Sequence, residues 1–152
     1  MKHNSFPQKH PYLFTALLEI LVILVYLIAG TAAFLLELPS LTVYLIANSI
    51  LTITCILMIT LMGAWKTIGV RPLENPRDLL LFWLPAIPII VNLAFGIKTE
   101  NLSGMITFLF LALTVGFVEE VIFRGLMLQA LLSRGTWKAA IISAILFGLS
   151  HS

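Results

Sequence analysis

Long apolar runs, interrupted by short clusters of charge and proline, organise this chain. Residues 11–36 are apolar apart from Glu19 and a few small polar side chains. Roughly 20 residues suffice to cross a hydrocarbon core ~30 Å thick, so the run predicts a first membrane span over 12–36. A cleaved signal peptide is the competing reading, with small residues at Ala29, Gly30 and Ala33. Its apolar region would cover only about 7–15 residues, and this run is longer. Glu37, Leu38, Pro39 and Ser40 then form a turn, because a proline disfavours helix at the residue before it. The charge-free run that follows predicts span two, 41–63.

The pattern changes at residues 64–78, which hold Lys66, Arg71, Glu74, Arg77 and Asp78 together with Pro72 and Pro76. This predicts a polar, irregular connection, with Trp65 at the headgroup level where indoles are enriched. Span three, 79–96, is short and carries Pro85 and Pro88. Lys98 and Glu100 mark its return, and span four runs over 104–132. Ser133, Arg134, Gly135 and Thr136 read as a stop and restart, with Gly135 ending one helix and Thr136 as the N-cap of the next. Span five, 136–152, covers ~25 Å at 1.5 Å per residue and stops on His151 and Ser152 without an exit loop. The expectation is an all-α polytopic transmembrane helix bundle of about five spans, a single membrane domain with the last span cut short.

Composition agrees. Of the 152 residues 60% are apolar and 11% charged, against about 45–50% and 25% in soluble domains. The net charge of +2 is too small to suggest a nucleic-acid partner; the expected partner is the lipid bilayer. Cys55 is the single cysteine, so it forms no internal disulfide and reads as a packing residue. Lys2 and Lys9, then Lys66, Arg71 and Arg77, then Arg134 and Lys138 all fall on one side if each span crosses once, and the other side has Lys98. Basic loops favour the cytoplasm, which predicts a multi-pass protein of the cell membrane with a cytoplasmic N-terminus.

Against this background the stretch Phe-Val-Glu-Glu-Val-Ile-Phe-Arg-Gly, 117–125, is anomalous. A carboxylate or guanidinium at the bilayer centre costs roughly 2.5–3.5 kcal/mol on insertion scales. Glu119 lies roughly 22 Å along span four from its outer end, in the inner half of the membrane. On a helix Glu120 and Arg124 are four apart in the favourable order and face each other. Glu119 is rotated ~100° away and has Phe123, not a base, at i+4. It is left over, and so suited to accept or donate a proton. His151 is a second polar group in an apolar span, one that is able to bind a metal or act as a base. Glu119 and His151 lie on consecutive antiparallel spans, which allows them to meet. The residues alone leave other readings open: a helix-packing clamp or a proton relay for the Glu-Glu-Arg cluster, and a hydrogen-bonded packing residue for His151. Glu19 is expected to snorkel or to pair with a neighbouring span.

Glu119-Glu120-Val-Ile-Phe-Arg124 followed by Phe147-Gly-Leu-Ser-His151 resembles the first two motifs of the CPBP intramembrane protease family. That family comprises type II CAAX prenyl endopeptidases and bacteriocin-processing or immunity-associated (Abi) proteins. The Phe-Arg-Gly extension and Ile68-Gly-Val-Arg71 are similar too, so the resemblance covers roughly 64–152. It implies hydrolysis of peptide bonds in membrane-associated peptide or protein substrates, CAAX-like or bacteriocin-like. Glu119 would activate the attacking water, and His151 would align that water or bind a metal. Glu120 and Arg124 would be the supporting ion pair, and Phe147 would pack around the site. The resemblance leaves open zinc or another divalent ion, held by Glu119 and His151, and a metal-free mechanism. A further family motif, His with Asn or Asp four residues later, is absent, and the chain is expected to be truncated and impaired as it stands. A non-proteolytic membrane scaffold or immunity protein and a proton-coupled transporter fragment are the alternatives.

Overall fold

The computed structural model describes residues 5–70, 72, 75–77, 87, 91 and 102–151. The expected third span, 79–96, lies almost wholly outside them. All regular structure among the described residues is helical. A short helix α1, Phe6–Lys9, leads into α2, Pro11–Leu35, and α3, Ser40–Met62. Helix α4, Leu102–Glu119, continues without a break as a π-helical segment, Glu120–Met127, then an α-turn, Leu128–Leu131, and a 3-10 turn, Leu132–Arg134. Helix α5 is Thr136–Leu149. Three of these continuous helices, of 25, 23 and 33 residues, are long and apolar enough to cross a bilayer, and the chain is a membrane protein.

The described residues divide into two compact units, one of residues 1–70 and 110–152, the other of 71–109. In the smaller unit Asn75 Oδ1 accepts the Arg77 backbone N–H at 3.0 Å, a local turn at Pro76. The larger unit carries the core. Phe14, Leu18 and Val22 of α2 recur every four residues, as do Leu51, Cys55 and Ile59 of α3. Such rows form the ridges along which helices pack. They close on Val118 of α4 and on Val121, Ile122, Leu126 and Met127 of its π-helical continuation. The outward faces of these helices are as apolar as the inward ones: Leu61 and Phe34 are exposed. That is the pattern of a helix whose solvent is lipid.

The ends follow local chemistry. Pro39 precedes α3, and the chain reverses through Glu37 at φ 51°. Gly63, at φ 59°, closes α3 in the left-handed region and donates its N–H to Ile59 and Thr60 carbonyls. Gly135, at φ 111°, ends the long helix as expected of it. The N-cap expectation for Thr136 is corrected: Gly135 occupies that position, Thr136 is already helical, and no side chain caps α5.

A plain α-helix was expected through the Glu-Glu-Arg stretch, and the π segment corrects that. In it the Leu128 N–H reaches back to the Phe123 carbonyl. The same carbonyl accepts a hydrogen bond from Ser143 Oγ of α5 at 3.1 Å. Ser143 and Ala139 are buried, so α5 meets the π segment through its small residues. Gly125 permits a second close approach. A Cβ there would lie 3.1 Å from both Cβ and Cγ2 of Ile68, in the connection after α3. Gly125→Val is therefore expected to lower stability by about 1–3 kcal/mol through overpacking. Thermal unfolding in detergent should show the loss, and adding Ile68→Ala should recover much of it. Two independent, additive losses would refute the contact.

Candidate active site

Glu119 closes the regular part of α4, and the widened π turn begins at the next residue. Such turns recur at functional sites because they re-aim side chains within a continuous helix. Thirty-two residues later His151 lies just beyond α5, and its Nε2 is 3.1 Å from Glu119 Oε1. The two side chains are half-exposed, at 49% for His151 and 32% for Glu119, so both remain open to a third group.

The imidazole is held on three sides. Its Nδ1 is 2.8 Å from the Phe147 carbonyl and 3.1 Å from Ser150 Oγ. A carbonyl only accepts, so Nδ1 carries the hydrogen there. Ser150 Oγ donates to the same carbonyl at 2.8 Å. The Phe147 ring packs against the imidazole at 4.4 Å and edge-on to Phe123 at 5.2 Å. Phe147 therefore fixes His151 twice, through its ring and through its carbonyl. With Nδ1 committed, Nε2 is the nitrogen turned to Glu119. A hydrogen bond between that nitrogen and a carboxylate oxygen needs one proton, resident on either atom. The arrangement is a carboxylate–imidazole pair sharing one proton, suited to taking a proton from one group and returning it to another.

Glu120 and Arg124 face each other as the helical spacing predicted, with Arg124 Nη1 2.6 Å from Glu120 Oε1. Their side chains are 59% and 74% exposed, so the pair lies outside the packed core. Two cavities adjoin these residues. One, of about 370 Å³, is lined by Glu119, Glu120, Phe123, Arg124, Ser143 and Phe147 among others. The second, of about 390 Å³, is lined by Glu119, Phe123, Ser150 and His151 with Val22 and Tyr26 of α2 and Tyr44 and Asn48 of α3. Glu119 and Phe123 border both. Each cavity falls within the 300–1,000 Å³ of ordinary ligand pockets.

A metal centre is a separate question. A protein-bound zinc takes three or four protein ligands. Glu119 and His151 supply two donors, and no group of three His, Cys, Asp or Glu able to hold a metal occurs among the described residues. The described donors do not complete a zinc set.

The expectation for Glu19 is corrected. It neither snorkels nor pairs: the residue is 7% exposed, and both carboxylate oxygens are buried without a hydrogen-bond partner among the described residues. Tyr26 and Asn48, which line the second cavity, were missed because spans one and two read as generic. The available signal was an asparagine in the middle of a charge-free span, where side-chain amides find partners on neighbouring helices.

With this geometry in hand, the comparisons with known proteins take their place. Residues 101–152 match the family model of type II CAAX prenyl endopeptidases, Rce1-like. The match contains Glu119, Glu120, Arg124, Phe147 and His151 and begins later than the 64–152 over which the resemblance was read. No curated relative and no solved structure matches the chain. The match covers about a third of the chain, and the family it is similar to is one of proteases.

The orphaned carboxylate of Glu19 yields a stability prediction. Leaving a buried polar group unpaired costs about 1–3 kcal/mol. Glu19→Leu keeps most of the volume and is expected to raise Tm by several degrees in detergent. A lower Tm would mean that the carboxylate has a partner in the folded protein.

Proposed function

We propose that this protein is an intramembrane endopeptidase of the CPBP type that hydrolyses peptide bonds in membrane-associated substrates. The observation that carries the reading is the contact between Glu119 and His151, 3.1 Å apart across two helices inside the segment that matches the family. Substrates of the CAAX or bacteriocin kind are the class the family resemblance suggests. Basic-loop asymmetry supports a cytoplasmic N-terminus, which puts the pair in the inner half of the bilayer with access to cytoplasmic water.

In this mechanism Glu119 accepts a proton from a water molecule as its oxygen attacks the scissile carbonyl. His151 Nε2, the one ring nitrogen free of the backbone, aligns that water. Collapse of the tetrahedral intermediate breaks the carbon–nitrogen bond, and Glu119 returns the proton to the leaving amine. Glu120 and Arg124 hold each other beside the reacting acid and keep Arg124 from capturing Glu119. Phe147 keeps the imidazole in the required tautomer and orientation. The described donor set being one short, no step is routed through a metal; were one bound, Glu119 and His151 are the residues that would hold it, and it would supply Lewis-acid activation of the water.

The turnover of a fluorogenic membrane-anchored peptide by this chain in proteoliposomes, reduced as an incomplete site would make it, should fall in kcat by a further factor of about 10²–10⁴ with Glu119→Gln or His151→Ala, the range of a general acid–base contribution. Glu120→Gln combined with Arg124→Gln should cost less than either. Proton-coupled solute flux without cleavage would replace the protease reading with the transporter one.

A further inference from the structure

The acid and the imidazole account for proton transfer; the oxygen of the scissile carbonyl, where negative charge develops, needs hydrogen-bond donors of its own. Helices α2 and α3 offer one. Asn48, in the middle of α3, is 2% exposed. Its Nδ2 donates to the Tyr44 carbonyl at 2.8 Å, and that carbonyl can only accept. The amide orientation is thereby fixed, so Oδ1 is the end that meets the Tyr26 hydroxyl, at 2.9 Å. Tyr26 is held as a donor.

A tie between two apolar helices is an adequate reason for such a pair, and it would ordinarily sit in a dry contact. This one borders the 390 Å³ cavity that Glu119 and His151 also line. We propose that the Tyr26 hydroxyl, positioned by Asn48, is a hydrogen-bond donor to the scissile carbonyl of the bound peptide. The inference rests on the protease reading and adds a residue to it.

The step balances without a further reagent. Water oxygen bonds to the carbonyl carbon while the carbonyl π pair moves to oxygen. The water proton passes to Glu119. The Tyr26 hydroxyl hydrogen turns about its C–O bond from Asn48 Oδ1 to the new oxyanion and stays on the phenol throughout. Collapse re-forms the carbonyl and expels the amine, which takes the proton from Glu119; the hydroxyl hydrogen then returns to Asn48. Such a donor acts where charge develops, so its loss appears in kcat more than in KM.

The test compares wild type, Tyr26→Phe and Glu119→Gln in proteoliposomes, with Tm recorded for each. Turnover of a fluorogenic membrane-anchored peptide is one readout. Binding of its phosphinic analogue, a tetrahedral mimic, and of the intact peptide is the other. Tyr26→Phe should lower kcat about 100-fold, as for removal of one oxyanion donor, with KM nearly unchanged. It should weaken the phosphinic analogue and spare the intact peptide. Wild-type turnover in Tyr26→Phe, with Glu119→Gln inactive, overturns this inference and leaves the protease reading standing. A fall in Tm with equal losses of affinity for both peptides assigns Tyr26 to packing and also overturns it. A wild type that neither cleaves nor binds the analogue overturns both.

Discussion

In a bundle whose helices are apolar on every side, burial of hydrophobic surface does not decide which face meets which, because lipid tails are as good a neighbour as leucine. Directional polar contacts must fix the rotation of each helix. Three do so among the described residues. Tyr26 to Asn48 locks α2 on α3, Ser143 to the Phe123 carbonyl locks α5 on the π segment, and His151 to Glu119 closes the far end of α5 on α4. The first and third border one cavity, and the second lines the other. The contacts that orient the helices and the groups capable of chemistry are therefore largely the same set.

This coincidence explains the π segment. A regular helix spends each carbonyl on one internal bond and has little reason to pair with a neighbour. The π turn leaves the Phe123 carbonyl accepting from Leu128 and from Ser143 together. Gly125 sits within the same segment, and Ile68 covers it. Widening the helix thus serves packing on two sides while turning Glu120 and Arg124 outward and leaving Glu119 facing His151.

Much of this was legible in the sequence, for definite reasons. Bilayer thickness dictates helix length, so runs read as 12–36 and 41–63 become helices Pro11–Leu35 and Ser40–Met62. The Glu120–Arg124 pair follows from helical spacing, and Gly135 from its freedom at positive φ. The meeting of Glu119 and His151 was open to anticipation because both stand out against apolar surroundings. The π turn was not legible, since Val121, Ile122 and Phe123 carry no local signal for it and the contacts it makes, to Ser143 and Ile68, are tertiary. Glu19 was misread because its depth in α2 was known while its azimuth was not; the packing stripe of Phe14, Leu18 and Val22 carries it inward. That Tyr26 and Asn48 border the same cavity as Glu119 is visible only once α2 and α3 are seen beside α4.

The turn at Gly135 has a further consequence. It stands sixteen residues from Glu119 and sixteen from His151, so the two arms of the hairpin act as matched rulers. Adding or removing one residue in either arm slides its reactive group ~1.5 Å along the helix and swings it ~100° about the axis. Apart from the residues with contacts of their own, Glu120, Arg124, Gly125, Ser143 and Phe147, side chains along both arms are free to vary so long as they remain apolar, while the count of residues is not. Between Glu119 and His151 this protein should tolerate substitution far better than insertion or deletion, and its loop at residues 133–135, the usual place for length variation, is the place where a change of length would separate the pair.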